Sequence, residues 1–109
     1  MAGWYELKAS GDQFMFNLKA GNGETILNSE RYTAKAGATN GIASVQKNSP
    51  DDSRYERKTS KADEPYFVLK AANHETIGKS EVYSSESAME NGIASVKTNG
   101  PTTDIRDKT

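Results

Sequence analysis

The chain has 109 residues, with 14 Lys and Arg against 15 Asp and Glu for a net charge of −1, and it contains no cysteine. Disulfides, thiolate metal sites and a cysteine nucleophile are thereby excluded, and there is no overall field to draw in nucleic acid or an anionic membrane. Hydrophobic residues make up 34%, enough for one thin core but not for two, so a single domain over 1–109 is expected.

In chain order, Trp4 to Ala9 sets Tyr5 and Leu7 on one face and opens as a strand. Phe14, Phe16, Leu18 and Ala20 then alternate with Gln13, Met15, Asn17 and Lys19, the period-two pattern of a half-buried strand. Gly21-Asn22-Gly23 follows. Asn-Gly predicts a type I′ turn, in which both central residues take φ > 0, folding a third strand, Glu24 to Asn28, back on the second. After Tyr32, Thr33 is the expected N-cap of a helix whose Ala38, Ile42 and Val45 fall at i, i+4 and i+7. That helix stops near Asn48-Ser49-Pro50, where proline prevents continuation. Asn40-Gly41 also reads as a hairpin signal, and a mid-helix Gly costs about 1 kcal/mol against Ala. The residues beyond Gly41 do not alternate, so the helix stands, with Gly41 letting its backbone approach the sheet closely.

The second half repeats the first. Residues 16–50 match residues 67–101 at 19 of 35 positions under a shift of 51. Upstream, Tyr5-Glu6 and Lys8 align on Tyr55-Glu56 and Lys58 with a one-residue slip in the loop before the second strand. Met89, Ile93 and Val96 repeat the helical face, with Ser84 or Ser85 as cap and Glu86 in the first turn. The units run over approximately 3–51 and 53–102. The charged tail 103–109 holds one apolar residue, Ile105, and is either a short edge strand or a frayed terminus. The pattern predicts an α+β fold of tandem β-β-β-α repeats sharing one antiparallel sheet, with both helices on one face and pseudo-twofold symmetry between them.

The block from Phe16 to Glu24 and the block Asn40-Gly41-Ile42-Ala43-Ser44-Val45, repeated at Asn91 to Val96, resemble the YegP-like family of small bacterial proteins in its two-repeat form. The resemblance covers nearly the whole chain. It implies one continuous sheet in which each unit has a further strand after its helix and the last strands are exchanged, with Asp104 to Asp107 as one of them. It also implies a fused pseudo-dimer, hence a monomer, and it supplies a fold without an activity. Asn73-His74 departs from Asn22-Gly23 at the hairpin, which argues against a strict functional role for that Gly.

No catalytic or metal-binding residue is assigned and no cofactor is expected. His74 is the only histidine and aligns with Gly23, so it reads as a turn residue in or near the left-handed region. Gly21-Asn22-Gly23 lacks the Gly-Lys-Ser/Thr of a phosphate loop. Asp51-Asp52 and Asp63-Glu64 lack the spaced ligands of a calcium loop and read as solvated linkers. Glu24 with Glu75, and Glu30 with Glu81, would pair as acid and base only if the pseudo-twofold axis joined them; strand-end charges are the simpler reading. Trp4, Tyr5 and Tyr55 read as core or rim aromatics. The candidate binding residues are Lys19, Lys70, Asn17 and Tyr66, on the strand face opposite Phe16 and Phe67. Helices covering one face leave the other wet, and aromatic and basic side chains there suit single-stranded nucleic acid. The near-zero net charge makes that ligand possible rather than favoured. Overall the sequence points to a non-enzymatic binding or interaction module, with single-stranded nucleic-acid binding or an enzyme built on the paired Glu side chains as alternatives. Met1 to Glu6 has no basic start before an apolar run, and no stretch approaches the ~20 apolar residues of a membrane span, so a soluble, cytoplasmic protein is expected.

Overall fold

The period-two segments become strands and the period-four segments become helices in the structure, a computed structural model that describes residues 3–109. The first two residues, which carry part of the N-terminal reading, lie outside the described residues. Strands β1 (Trp4–Ser10), β2 (Gln13–Lys19) and β3 (Thr25–Ser29) form a meander followed by helix α1 (Lys35–Asn48). A 3-10 turn at Asp52–Arg54 leads into β4 (Tyr55–Thr59), β5 (Pro65–Lys70), β6 (Thr76–Lys79), α2 (Glu86–Asn99) and β7 (Ile105–Asp107). All seven strands form one sheet in the order β4-β5-β6-β3-β2-β1-β7. The two meanders meet antiparallel at β3 and β6. Strand β7 runs parallel to β1, so the sheet is mixed rather than wholly antiparallel. The reason is connectivity: the chain leaving α2 reaches β1 at Tyr5, where Tyr5 N–H donates to Asp104 C=O, and then runs alongside it.

Both hairpin loops after the second strand of each unit close by the same chemistry. Gly23 N–H bonds Ala20 C=O and Ala20 N–H bonds Glu24 C=O, and His74 and Ala71 reproduce the pair. Only Gly23, at φ +86, and His74, at φ +69, are left-handed. The expected type I′ turn with Asn22 at positive φ is therefore replaced by a longer loop that needs one left-handed residue. At the helix starts, Ser85 caps α2 through Ala88 N–H at 3.1 Å. Thr33 does not cap α1; the N-cap is Ala34, which offers no side-chain acceptor.

Each unit packs the same three rings together, two buried and the loop tyrosine partly so. Tyr5 meets Phe16 edge-on at 5.9 Å and Phe16 stacks on Tyr32 at 6.3 Å; Tyr55, Phe67 and Tyr83 repeat this at 5.6 and 6.3 Å. Room for the loop tyrosines comes from the mid-helix glycines. A Cβ on Gly41 would lie 2.5 Å from Tyr32 Oη and 2.9 Å from Phe16, and one on Gly92 would collide with Tyr83. Leu18, Leu27, Ile42, Val45, Leu69, Ile93 and Val96 complete one buried cluster drawn from both halves. Helix α1 packs on β1, β2, β5 and β6, and α2 on β2, β3 and β5, so each helix covers strands of both units.

The pseudo-twofold axis is visible in the pairing, because Asn28 on β3 lies opposite Lys79 on β6, its own counterpart under the shift of 51. Two further counterpart pairs meet beside it. Leu27 fills the space a Cβ on Gly78 would need, at 2.6 Å, and Ser49 does the same against Gly100 at the abutting helix ends. A residue facing its own copy cannot be large on both sides, so each pair combines one larger and one smaller residue. Across this axis Tyr5 Oη donates to Gly100 C=O at 2.6 Å and Tyr55 Oη donates to Ser49 C=O at 2.7 Å, both buried.

The symmetry fails at the outer edges. Strand β7 covers β1, but the segment after α1 has to turn and become β4, so the exchanged last strand implied for the first unit is absent and Asp52–Arg54 stands there as a 3-10 turn. Among the described residues no helix is long and apolar enough to cross a membrane.

Two predictions follow from the axis. Gly78→Leu should destabilise the fold by about 1–3 kcal/mol through overpacking, and adding Leu27→Gly should recover at least half of that loss. Urea midpoints that simply add would contradict contact at the axis. Tyr5→Phe and Tyr55→Phe should each cost about 1–2 kcal/mol by orphaning a buried carbonyl. Burial holds both phenols protonated well above the ordinary tyrosine range, with Tyr55 adding to the effect on Tyr5 and Asp52 to that on Tyr55. A raised folded-state pKa means stability is complete below about pH 10 and is lost as pH climbs past it. The double Phe variant should lose less of its urea midpoint than the wild type between about pH 9 and 11; parallel losses would rule the tyrosines out as the cause.

Candidate functional site

Because the helices lie on the Phe16 and Phe67 side, the alternate residues of every strand lie on the other, which is open to solvent except around Val68 and Asn17, both buried. The register draws one row across that face: Glu56, Val68, Lys79, Asn28, Asn17, Glu6 and Arg106, from β4 to β7. Flanking rows pair Lys58 with Tyr66 and Lys8 with Met15, and set Lys19 beside Thr25 and Lys70 beside Thr76. The cations Lys8, Lys19, Lys58, Lys70, Lys79 and Arg106 thus face Glu6, Glu56, Glu81 and Asp104, a local basic surplus on a chain of net charge −1.

The four residues singled out in the sequence all belong to this face, but they form two groups. Asn17 and Lys19 are on β2, Tyr66 and Lys70 on β5, with β3 and β6 between them, a separation of about 14 Å at normal strand spacing. Asn17 is buried despite facing outward, and its Nδ2 donates to Asn28 Oδ1 at 2.5 Å. Asn28 Nδ2 in turn donates to Glu81 Oε1 at 3.0 Å. Lys19 Nζ donates to Thr25 Oγ1 at 2.6 Å. Lys70 is paired with Glu56, and Tyr66 lies under Lys79 at 5.2 Å. The lysine beside it and the indole N–H of Trp4 have matching effects at the two ends of the face. Lys70 and then Lys58 hold the Glu56 carboxyl below its usual range, while the Trp4 N–H, with Lys108, Lys19 and Lys8, does the same for Glu6.

Sequence reasoning missed Lys79, Asn28, Trp4 and Arg106 as members of the face. Lys79 and Asn28 are counterparts under the repeat, so the alignment already placed them together; only the pairing of β3 with β6 was needed to see it. The Arg106 guanidinium sits 4.0 Å from the Trp4 ring centre, a contact that depends on β7 pairing with β1. Trp4 is accordingly a rim aromatic, whereas Tyr5 and Tyr55 belong to the core.

The remaining candidates separate. Glu24, Glu30, Glu75 and Glu81 are all exposed, so no desolvated acid and base pair is formed at the axis. His74 is an exposed left-handed turn residue. Asp52 is more than a solvated linker: it takes hydrogen bonds from Lys97 at 2.6 Å and Arg57 at 3.2 Å, which lower its pKa. Asp51 caps the 3-10 turn through Ser53 N–H. Among the described residues no three His, Asp or Glu side chains group closely enough to hold a metal.

A family model described as a domain of unknown function, DUF1508, matches residues 9–56 and again residues 60–107. The UPF0339 protein of Shewanella oneidensis is 63% identical over the full length of both chains, and the YegP protein of Escherichia coli O6:H1 is 58% identical over the full length of both. The solution NMR structure of the Shewanella oneidensis UPF0339 protein superposes with a TM-score of 0.92 at 61% identity, covering 98% of this chain and 92% of that one. That of E. coli YegP gives 0.93 at 57% identity, covering 100% and 95%. A match to both halves, together with relatives that align over their full length and superpose closely, leaves one conclusion: the chain belongs to the DUF1508 family and carries its domain twice.

Proposed function

We propose that this chain is a non-enzymatic binding module, a monomeric single domain of the cytoplasm, whose working surface is the uncovered face of the sheet. The observation that carries the reading is the charge distribution. The face holds a surplus of cations around the Asn17–Asn28 pair, while the chain as a whole is slightly acidic. Strands fix the positions of these side chains, so little ordering is required of the protein when a ligand lies across them. An enzyme built on paired Glu side chains lacks support, because those carboxylates stand in open solvent.

The ligand class that fits is an extended anion, and single-stranded nucleic acid is the reading with a specific observation in its favour. Among the described residues neither Lys19 nor Lys79, both on the middle strands, is ion-paired with a carboxylate; Lys19 donates to the Thr25 hydroxyl and Lys79 lies over Tyr66, contacts that a phosphate can replace. Tyr66 supplies one ring, although Lys79 shares its surface. With about three phosphate contacts, binding should be weak and should fall with salt at a log–log slope near −2. Anisotropy with a labelled oligonucleotide tests this: affinity should drop about tenfold or more between about 50 and 200 mM salt. Lys19→Ala and Lys79→Ala should each make the slope shallower by about 0.7. Absence of binding at the lower salt, or affinity indifferent to salt, would discard nucleic acid as the ligand.

A further inference from the structure

The two halves differ most at the sheet edges, and the covered edge serves as a template for the bare one. On β1, the peptide groups of Tyr5 and Leu7 point outward and are taken by β7: Tyr5 N–H donates to Asp104 C=O and Lys108 N–H donates to Leu7 C=O. On β4 the equivalent residues are Tyr55 and Arg57. Phe67, opposite Arg57, uses its own N–H and C=O on Ser80, so the Arg57 peptide groups also point outward. Tyr55 N–H is taken by Asp52 C=O. The Tyr55 carbonyl and both Arg57 peptide groups remain at an edge with no neighbouring strand. Charged Glu56, Arg57 and Lys58 guard it against indiscriminate pairing, so an occupant has to match them.

A recess beside this edge narrows the match. Its volume is about 260 Å³, and it is lined by Arg54, Glu56, Lys70 and His74 among others. In the first unit these positions are Trp4, Glu6, Lys19 and Gly23. There the Trp4 ring lies over Gly23, donates to Glu6 at 3.0 Å and is covered by Arg106, which β7 brings opposite Glu6. The stack is a ring from the resident strand and a guanidinium from the added one. In the second unit the resident residue is a guanidinium, Arg54, whose Nε is buried without a hydrogen bond and lies 3.5 Å from Asp51. The complementary arrangement needs the ring to arrive on the added strand. One residue further along, the added strand would stand opposite Arg57, where β7 places Asp107 opposite Leu7. Arg57 is already held by Glu90 and Asp52, and Asp107 is itself met by Lys35, whose counterpart in the second unit is Glu86, so no acid is called for at that position.

We propose that the β4 edge is a docking site for an extended peptide segment of another protein, added parallel to β4, with an aromatic residue opposite Glu56. The ring fills the recess against Arg54 and His74, and the peptide groups pair with Tyr55 and Arg57 by strand addition. A second copy of this chain is not the occupant. Its β7 is already engaged on its own β1 and carries Arg106 where the recess calls for a ring.

The test uses the full chain, labelled for amide NMR, and two octapeptides of the sequence 102–109, one unaltered and one carrying R106W. The R106W peptide should shift the Tyr55, Arg57 and Thr59 amides and the His74 ring resonances, and should bind at least tenfold tighter than the unaltered peptide. Arg57→Pro removes the outward N–H at a position where an edge strand tolerates proline, and it should weaken binding at least tenfold, with Arg57→Ala losing less. Equal affinity of the unaltered and R106W peptides, shifts confined to Tyr5–Leu7, or no shifts at millimolar peptide would each overturn the proposal.

Discussion

Two buried hydroxyls hold the halves of this fold together. Tyr5 and Tyr55 open the first strand of each unit, and each donates to the last carbonyl region of the other unit's helix, at Gly100 and Ser49. Helix ends leave carbonyls without intrahelical partners, and burying such groups unpaired is costly. Here the two ends abut at the axis, too close together for either to be hydrated freely. The phenols satisfy them while their rings pack edge-on against Phe16 and Phe67. One residue type thus joins the outer strand, the ring cluster and the opposite helix. Neither unit can complete its own interior alone, which is why a core this thin holds as one.

A duplicated chain is freer than a symmetric pair of chains. In a true homodimer Leu27 would meet Leu27 and Ser49 would meet Ser49 across the axis. In this chain the counterparts are Gly78 and Gly100, and close packing at the axis is achieved by unequal residues. The same freedom is lost at the edges for a topological reason. A single chain has to connect its units, and the segment that would have covered β4 is spent as the connection. Leu7, shielded beside β7, corresponds to Arg57, exposed and held by Glu90 at 2.6 Å and by Asp52. Divergence between the copies therefore follows the environment: apolar under the added strand, charged where none is present.

The repeat, the meanders, the two helices and most of the core were legible because period and identity act locally: Phe16, Leu18, Ile42 and Val45 announce their faces from spacing alone. Gly41 and Gly92 were legible as sites of close approach, though the groups they admit, Tyr32 and Tyr83, come from outside the helix and needed coordinates. The Asn-Gly signal located the hairpin but misjudged its turn, since one left-handed residue suffices when the loop is longer by a residue. Thr33 looked like a cap from composition, but the first turn begins two residues later. The outer face was half legible. Alternation puts Lys19, Lys70, Asn17 and Tyr66 on one face of their strands, but alternation within a strand says nothing about which strands are neighbours. The order across β5, β6, β3 and β2 separates these residues into two groups and inserts Lys79 and Asn28 between them.

That insertion changes what the face is suited to recognise. A stacking platform for bases needs rings open to solvent on neighbouring central strands. The two rings on this face are Tyr66, on the fifth strand, and Trp4, on the first, and each is already covered by a cation, Lys79 and Arg106. The centre is instead an amide pair with lysines on either side. Recognition of a charged backbone is compatible with that arrangement, and reading of individual bases is not. The position where the two copies have diverged from ring to guanidinium, from Trp4 to Arg54, is where the shape and charge of the surface are least generic.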